Sequence, residues 1–327
     1  MSMSRSSAPL WRIIISFAAI YLMWGGSFLA IHLSQQSIPP FLISAVRFTI
    51  AGLVLMLVAR RSGVSMPTRQ QWRSAVILGL LMFVLANSSL MLGQRTVPSG
   101  LAATLYATLP LWVTLMTWLW LGEARPSLQI IVGLVLGFVG IVLLFGPSSG
   151  GTAGIDPLGG VLVLLSAIFW AAGSLLSQRV SLPASSTLSS GMNLFVSGLI
   201  FFLLSAVTGE FSRLDTAAIT GESLLAVLYL IVGSSVIAFS AYMWLLANIS
   251  PSLVSTYAYV NPVVALFIGW LLNNEELTVM ELVAAAVILV AIIILTTARG
   301  KAAERSGAES NSVRSRLRAL TGRSRAV

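Results

Sequence analysis

Ten long apolar segments, separated by short polar loops, limit what this chain can fold into more than any other feature of its sequence. A helix needs about 20 apolar residues to cross the hydrocarbon core of a bilayer. Continuous apolar runs also argue against a β-barrel, whose strands alternate over ~10 residues. The sequence therefore predicts an all-α membrane protein with ten transmembrane helices. The segments lie at roughly 12–33, 40–59, 74–94, 98–121, 127–145, 157–179, 185–207, 221–246, 251–272 and 278–298.

The composition excludes several classes of protein. Charged residues make up only 9% of the chain, against about 25% in a typical soluble domain. The chain has no cysteine and a single histidine, His32, so no disulfide, thiolate ligand or histidine metal motif is available. The sole lysine, Lys301, does not belong to a phosphate-binding loop. We expect neither an enzyme nor a cofactor or metal site.

The placement of the basic residues predicts the orientation. With both termini in the cytoplasm, sixteen Arg and Lys residues lie inside, only Arg95 and Arg213 lie outside, and Arg47 lies within the second span. Cytoplasmic loops carry the excess of Arg and Lys, so the sequence favours this orientation. The net charge of +9 is thus mostly a topology signal and does not predict a nucleic-acid partner. The basic tail either lies on anionic lipid headgroups or is disordered.

Two halves of the chain repeat the same landmarks at fixed offsets. An offset of 152 places Pro110 on Pro262, and an offset of 146 places Trp24 on Trp170. Further pairs are Thr104 with Thr256, Trp118 with Trp270, Glu123 with Glu275, and Gly52 with Gly198. We therefore divide the chain into a cytoplasmic segment 1–11, five-helix repeats at 12–146 and 157–298, and a basic cytoplasmic tail at 299–327.

Each repeat contains an odd number of spans, so the second repeat must be inverted relative to the first. Inverted repeats are the common architecture of secondary transporters, which alternate access around a site near the midplane. Pro110 and Pro262 interrupt the fourth and ninth spans, since proline removes a backbone donor and kinks a helix. We predict that both prolines act as hinges that border a central path.

The chain resembles the EamA-type branch of the drug/metabolite transporter superfamily. The resemblance rests on "WGGSF" at 24–28, "PPFLISAVRFTIAG" at 39–52, "VPSGLAATL" at 97–105, "LGE" at 121–123 and "ANISPSLVSTYAYVNPVVALFIG" at 247–269. It covers about 12–298. It implies a ten-helix, two-repeat exporter of small metabolites, commonly amino acids or related amphipathic compounds, in a bacterial inner membrane.

Aromatic and polar residues within the spans are the candidates for substrate binding. Arg47 is the only cation well inside a span; either it binds a substrate carboxylate or it has a structural role. Rings would hold the apolar part of a solute and hydroxyls or amides its polar part, although the same residues also serve helix packing. The predicted substrate-binding residues are Trp24, Arg47, Asn87, Tyr106, Trp170, Tyr242, Tyr257 and Asn261.

Glu123 and Glu275, at corresponding ends of the fourth and ninth spans, are predicted gate residues, although helix capping is the alternative. No Asp or Glu lies deep in a span, so uniport and ion coupling both remain open.

Two other functions also remain open: a lipid or polyprenyl carrier translocase, and a receptor or assembly subunit without transport. The expected partners are a small-molecule substrate and membrane lipid. A monomer is sufficient because ten helices can enclose a path, and an oligomer is compatible with it.

Overall fold

The fold of the protein is all-helical. The computed structural model describes residues 9–120, 122, 127–145, 156–249, 254, 257–273, 279–280, 282–291, 293–294 and 297–298. These residues contain no β-strand, which confirms the predicted all-α class. The helices are α1 Leu10–Ser34, α2 Pro40–Arg61, α3 Arg69–Gly93, α4 Ser99–Leu119, α5 Leu128–Phe145, α6 Pro157–Ser177, α7 Ser186–Val207, α8 Gly221–Leu245, α9 Tyr257–Asn273 and α10 Leu282–Ala291.

Seven helices, α1–α4 and α6–α8, are long and apolar enough to cross a membrane. Helices α5, α9 and α10 are apolar over shorter described stretches. The helices expose large apolar side chains on their outer faces, such as Leu203 at 64% and Phe267 at 57% exposure. A chain in water would bury such residues, so the outer surface is suited to lipid.

Among the described glycines, the closest approaches to the backbone of another helix join α2 to α7. A β-carbon added at Gly52 would lie 2.5 Å from the backbone nitrogen of Phe195, and one added at Gly198 would lie 2.5 Å from that of Thr49. Gly52 of α2 therefore faces Phe195 of α7. Thr49 lies about one turn before Gly52 on α2, and it faces Gly198, about one turn after Phe195 on α7. The two helices run antiparallel, and their backbones are close enough to exclude side chains at both glycines.

Several helices depart from regular α-geometry near the centre of the molecule. Helix α3 has a π-helical segment at Gly79–Leu85, and α8 has one at Leu230–Ala238. Helix α1 is interrupted at Gly26. There the Tyr229 hydroxyl lies 3.0 Å from the carbonyl oxygens of both Leu22 and Met23 and donates to them. Such irregularities are tolerated in a membrane protein where the backbone is covered by protein or lines a cavity.

The two prolines have different effects on their helices. The first half of α4 ends at Tyr106 and the second begins at Leu109, so the helix breaks just before Pro110. Pro110 has no N–H to donate to the carbonyl of Tyr106, four residues earlier, which explains the break. Helix α9, in contrast, continues through Pro262, which lies in its second described turn.

Polar contacts group the helix ends at two opposite sides of the bundle. On one side the Asp156 carboxylate accepts from the Thr96 hydroxyl at 2.7 Å and from the backbone N–H of Gly159 at 2.9 Å. These two bonds, the first more than the second, hold the pKa of Asp156 below its usual range. On the other side Gln71 donates to the carbonyl of Leu182 at 3.3 Å. Gln71 also completes a capping box that starts α3 at residue 69, five residues before the predicted start.

A buried carboxylate far along the chain caps the start of α2. Glu210, only 4% exposed, accepts from the backbone N–H groups of Phe41 at 3.2 Å and Leu42 at 2.8 Å. The first N–H groups of a helix have no partner within the helix, and a negative charge there also interacts favourably with the helix dipole. Glu210, three residues after the end of α7, therefore connects the segment that follows α7 to the start of α2.

We expect Glu210→Ala to lower the thermal stability of the purified protein. Hydrogen bonds to a charged group contribute about 1.5–3 kcal/mol, and the substitution leaves two buried donors without an acceptor. The matched control is Glu222→Ala, which removes an exposed carboxylate from the first turn of α8. Thermal unfolding in one detergent should show a clear loss for the first variant only. Equal unfolding temperatures would contradict the capping role.

Some predictions concern residues outside the described ranges. The predicted gate residues Glu123 and Glu275 belong to this group, as do residues 1–8 of the N-terminal segment and the tail at 299–327. The last described helix of the first predicted repeat is α5, and that of the second is α10.

Candidate functional site

A central cavity lies among eight of the helices. Its volume is about 120 Å³, and its lining comes from α1–α4 and α6–α9. A cavity needs only ~10–15 Å³ to hold one water molecule, so this one has room for several waters or a small organic solute. Most of its walls are apolar, with a few polar groups between them. This combination is typical of sites for small amphipathic molecules.

The structure brings most of the predicted site residues together. Among the described residues, those predicted residues that line the cavity are Trp24, Arg47, Asn87, Tyr106, Trp170, Tyr257 and Asn261. Tyr242 lies one layer behind the wall, with its ring 5.1 Å from that of Trp24 and 5.9 Å from that of Tyr257. Pro262 also lines the cavity. Pro110 does not, although its neighbours Ala107 and Leu109 do.

Aromatic rings form a continuous wall along one part of the cavity. Trp24 and Trp170 meet edge to face with centroids 6.4 Å apart, and Trp24 also meets Tyr257 at 5.2 Å. Phe83 continues the wall, 5.7 Å from Trp170 and 5.4 Å from Phe239. Edge-to-face pairs contribute about 0.5–1.5 kcal/mol each beyond burial, so the wall is a stable surface against which a solute can pack.

Arg47 also lines the cavity and is buried, 8% exposed. Its Nε donates to the hydroxyl of Ser235 at 2.8 Å, and its Nη2 donates to the hydroxyl of Ser234 at 2.8 Å. Its guanidinium carbon also lies 4.9 Å from the centre of the Phe48 ring. Both hydrogen-bond acceptors are uncharged, so the positive charge of Arg47 is solvated by dipoles.

The π-helical segment of α8 explains how two successive serines reach one guanidinium. Neighbouring residues of an α-helix do not face the same way. A π-helical turn holds more residues, so successive side chains diverge less. The irregular backbone also makes the carbonyl of Ser234 accessible to the indole N–H of Trp24, which donates to it at 3.1 Å. Helices α1, α2 and α8 thus meet at Ser234.

Two other polar groups at the cavity are buried without a hydrogen-bond partner among the described residues. They are the indole N–H of Trp170 and the amide oxygen of Asn261. An unpaired buried polar group costs ~1–3 kcal/mol, and such groups persist in native proteins where water or a ligand satisfies them. Asn87, in contrast, already donates to the Ser44 hydroxyl at 2.8 Å.

Several functional candidates were not identified from the sequence. Ser234 and Ser235 occur in an apolar run with no proline or charge nearby, and serine in a span usually serves helix packing. Phe83 and Phe239 look like ordinary apolar residues of α3 and α8. These residues are recognised only by their positions beside Arg47 and Trp24 in the folded protein. Those positions depend on how α2 packs against α8, which the sequence does not show.

Comparison with known proteins identifies the family of this chain. The EamA-like transporter family matches residues 11–146 and again residues 157–297. The chain is 35% identical to the uncharacterized inner membrane transporter YedA of Escherichia coli (strain K12), over 85% of this chain and 88% of YedA. It is 26% identical to the uncharacterized transporter YvbV of Bacillus subtilis (strain 168), over 90% and 94% of the two chains.

A further relative is PecM of Dickeya dadantii, 29% identical over 84% of this chain and 88% of that protein. A protein of known crystal structure superimposes with a TM-score of 0.62 at 22% identity, over 90% of this chain and 99% of the other. The superposition supports the fold, and the repeated family match covers both halves of the chain. This chain is therefore a membrane protein of the EamA-like transporter family, within the drug/metabolite transporter superfamily.

Proposed function

We propose that the protein is a secondary transporter that moves small amphipathic metabolites, most simply amino acids or related compounds, out of the cytoplasm by alternating access. The observation that carries the proposal is the central cavity, which has an aromatic wall and polar groups without a hydrogen-bond partner among the described residues. The wall suits the apolar part of a solute, and the polar groups suit its hydrogen-bonding part. Trp24, Asn87, Tyr106, Trp170, Tyr257 and Asn261 are the proposed contacts, and Tyr242 supports Trp24 from behind.

Two inverted five-helix repeats, at 12–146 and 157–298, are part of this proposal. The two contacts between α2 and α7 support it, because an offset of 146 residues exchanges them: Gly52 becomes Gly198, and Thr49 becomes Phe195. A two-fold axis in the membrane plane would produce this exchange between antiparallel helices. Trp24 and Trp170 are related by the same offset and touch each other, as residues near such an axis do. The π-helical segments of α3 and α8 correspond under the other offset, about 152 residues, which relates Pro110 to Pro262.

The repeats would move against each other around the cavity. In this mechanism the break of α4 before Pro110 and the second turn of α9 at Pro262 act as hinges, and Glu123 and Glu275 act at the gates. The lining of the cavity comes from one chain, so a monomer is sufficient as the transporting unit in this mechanism.

The proposed orientation has both termini in the cytoplasm of a bacterial inner membrane. Arg60, Arg61, Arg69, Arg73 and Arg179 belong to helix ends on one side of the bundle, whereas Arg95 and Arg213 belong to the other. The excess of arginine on the first side supports its cytoplasmic location.

Cysteine labelling tests this orientation, because the natural chain has no cysteine. Ser62→Cys and Ser212→Cys place single thiols at exposed positions on opposite sides of the bundle. An impermeant maleimide should label Ser212→Cys in intact cells and Ser62→Cys only after permeabilisation. The reverse pattern would overturn the orientation, and labelling of both from one side would overturn the antiparallel arrangement.

A counterflow screen in proteoliposomes tests transport itself. Vesicles of purified protein are preloaded with one unlabelled amino acid and supplied with its radiolabelled form, beside vesicles without protein. Accumulation of label above that control would support the proposal. Flux of a lipid-linked cargo, without flux of any soluble solute, would favour a lipid or polyprenyl translocase. No flux of either kind would favour a receptor or assembly subunit.

A further inference from the structure

We infer that the cavity selects solutes carrying an anionic group, most simply a carboxylate, and that Arg47 is the residue that binds this group. The inference rests on the proposed transport function and specifies its substrate class. It joins two observations that are independent of each other: the charge balance of the cavity, and the arrangement of the polar groups around its aromatic wall.

Among its described lining residues, the cavity has one positively charged side chain and no negatively charged one. Arg47 lines the cavity and is more than nine-tenths buried, and none of the described lining residues is acidic. Burying a charge without an opposite charge is unfavourable, because neutral dipoles replace water only in part. An anion that enters the cavity would supply the missing charge, so binding would relieve an electrostatic cost that the empty cavity carries.

The hydrogen bonds of Arg47 leave room for such an anion. A guanidinium has five N–H donors in a planar fork. Ser235 accepts from Nε and Ser234 from Nη2, which leaves three donors without an acceptor among the described residues. The serines orient the fork, and a carboxylate is the group that the remaining N–H groups fit in a bidentate manner.

An arginine with a structural role looks different in this protein. Arg213 is exposed and donates through Nε and Nη2 to the backbone carbonyls of Gly209 and Thr208 at the end of α7. Thr208 is the C-cap residue of α7 and Gly209 follows it, so Arg213 completes a helix end. Arg47 instead meets side-chain hydroxyls inside the bundle and borders an enclosed space. Ser234 and Ser235 have no need of a cation, since a serine in a span can donate to its own helix.

The other walls describe the rest of the solute. Phe83, Phe239 and Trp24 offer rings for an apolar or aromatic part. The unpaired N–H of Trp170 suits an acceptor, and the unpaired oxygen of Asn261 suits a donor such as an amine or hydroxyl. The geometry therefore fits a compact organic acid with an aromatic or branched apolar portion, with or without an amino group.

The test compares two probes that differ in one property. 3-Phenylpropionate carries a carboxylate, and 3-phenylpropanamide has nearly the same shape without the charge. Binding of each to the detergent-purified full chain is measured by titration calorimetry and thermal shift. We expect the carboxylate to bind roughly 10- to 100-fold more tightly, because hydrogen bonds to a charged group are the stronger ones. Equal affinity for the two probes overturns the inference without any variant.

Variants then assign the preference to Arg47. Arg47→Gln should remove the preference for the carboxylate, Arg47→Lys should retain part of it, and the exposed control Arg213→Gln should keep it fully. A preference that survives in folded Arg47→Gln overturns the assignment.

If Arg47→Gln does not fold, the double variant Ser234→Ala, Ser235→Ala keeps the charge of Arg47 but removes the two acceptors that orient its guanidinium. It should bind the carboxylate with altered affinity, while the affinity for the amide is unaffected. An unchanged carboxylate affinity in the double variant overturns the inferred geometry.

A lipid arm separates the two sources of an anionic group. Thermal shift is repeated with phosphatidylglycerol in place of the probe. Stabilisation by this lipid alone, lost in Arg47→Gln, overturns the soluble-solute form of the inference. Counterflow of labelled probes separates failure of the inference from failure of the proposed function. Wild-type protein that moves both probes equally is a transporter without anion selectivity, whereas protein that binds the carboxylate but moves nothing has the site without transport.

Discussion

Replacing Gly52 by valine is expected to prevent the protein from reaching its folded state, and Gly198→Val is expected to do the same. A β-carbon at either position would meet the backbone of the facing helix at 2.5 Å, and backbone atoms cannot turn aside as a side chain can. Overpacking in a core costs about 1–3 kcal/mol and sometimes more, and separating two whole helices belongs at the upper end of that range. Size-exclusion chromatography of the detergent-solubilised protein measures the folded fraction.

The same substitution at Gly221 is the matched control. Gly221 begins α8, and a β-carbon built there has open space around it. Gly221→Val should elute as wild type. Because the 146-residue offset exchanges the contacts of Gly52 and Gly198, the two core variants should lose folded protein to a similar extent. A folded, wild-type-like Gly52→Val would show that α2 and α7 do not approach as closely as described.

Asn261→Leu is expected to raise stability while impairing transport. The buried amide oxygen of Asn261 has no hydrogen-bond partner in the described part of the chain, so an apolar residue of similar volume removes a cost of about 1–3 kcal/mol. If that oxygen receives a hydrogen bond from the solute, its loss weakens binding by roughly 2- to 13-fold. Opposite changes in stability and transport are typical of residues kept for function.

Asn193→Leu is the matched control for this experiment. The amide oxygen of Asn193 is also buried without a partner among the described residues, but Asn193 does not line the cavity. We expect a similar gain in unfolding temperature and unchanged counterflow. If both variants lose transport equally, or if Asn261→Leu retains it fully, Asn261 is not a solute contact.

The sequence was sufficient for the features that depend on composition and offset. Apolar length predicted the helical membrane class, and the offset of 146 related Trp24 to Trp170, which the structure brings into contact. Proline chemistry predicted the break in α4, because the missing N–H is a local property of Pro110.

The remaining features depend on contacts between distant residues. The π-helical segments contain no residue type that demands them, and the one in α8 places its serines against Arg47, which lies on another helix. The cap of α2 comes from Glu210, 168 residues away from Leu42, and no local pattern indicates it. Tyr242 lies on α8, a helix that lines the cavity, so the sequence predicted it as a contact. The structure shows that the ring of Trp24 lies in front of it and separates it from the cavity.

Access to the cavity from both sides of the membrane is the most direct test of the central claim. Ser27 lines the cavity and donates only to the carbonyl of Met23 in its own helix, so Ser27→Cys is a mild change in a chain without natural cysteine. Labelling by an impermeant methanethiosulfonate is measured in proteoliposomes of each orientation, with Ser62→Cys and Ser212→Cys as markers of the two sides. If the protein works by alternating access, Ser27→Cys should be labelled from either side of the membrane. Each marker should be labelled from one side only. Labelling of Ser27→Cys from a single side, or from neither, in folded protein would contradict the account.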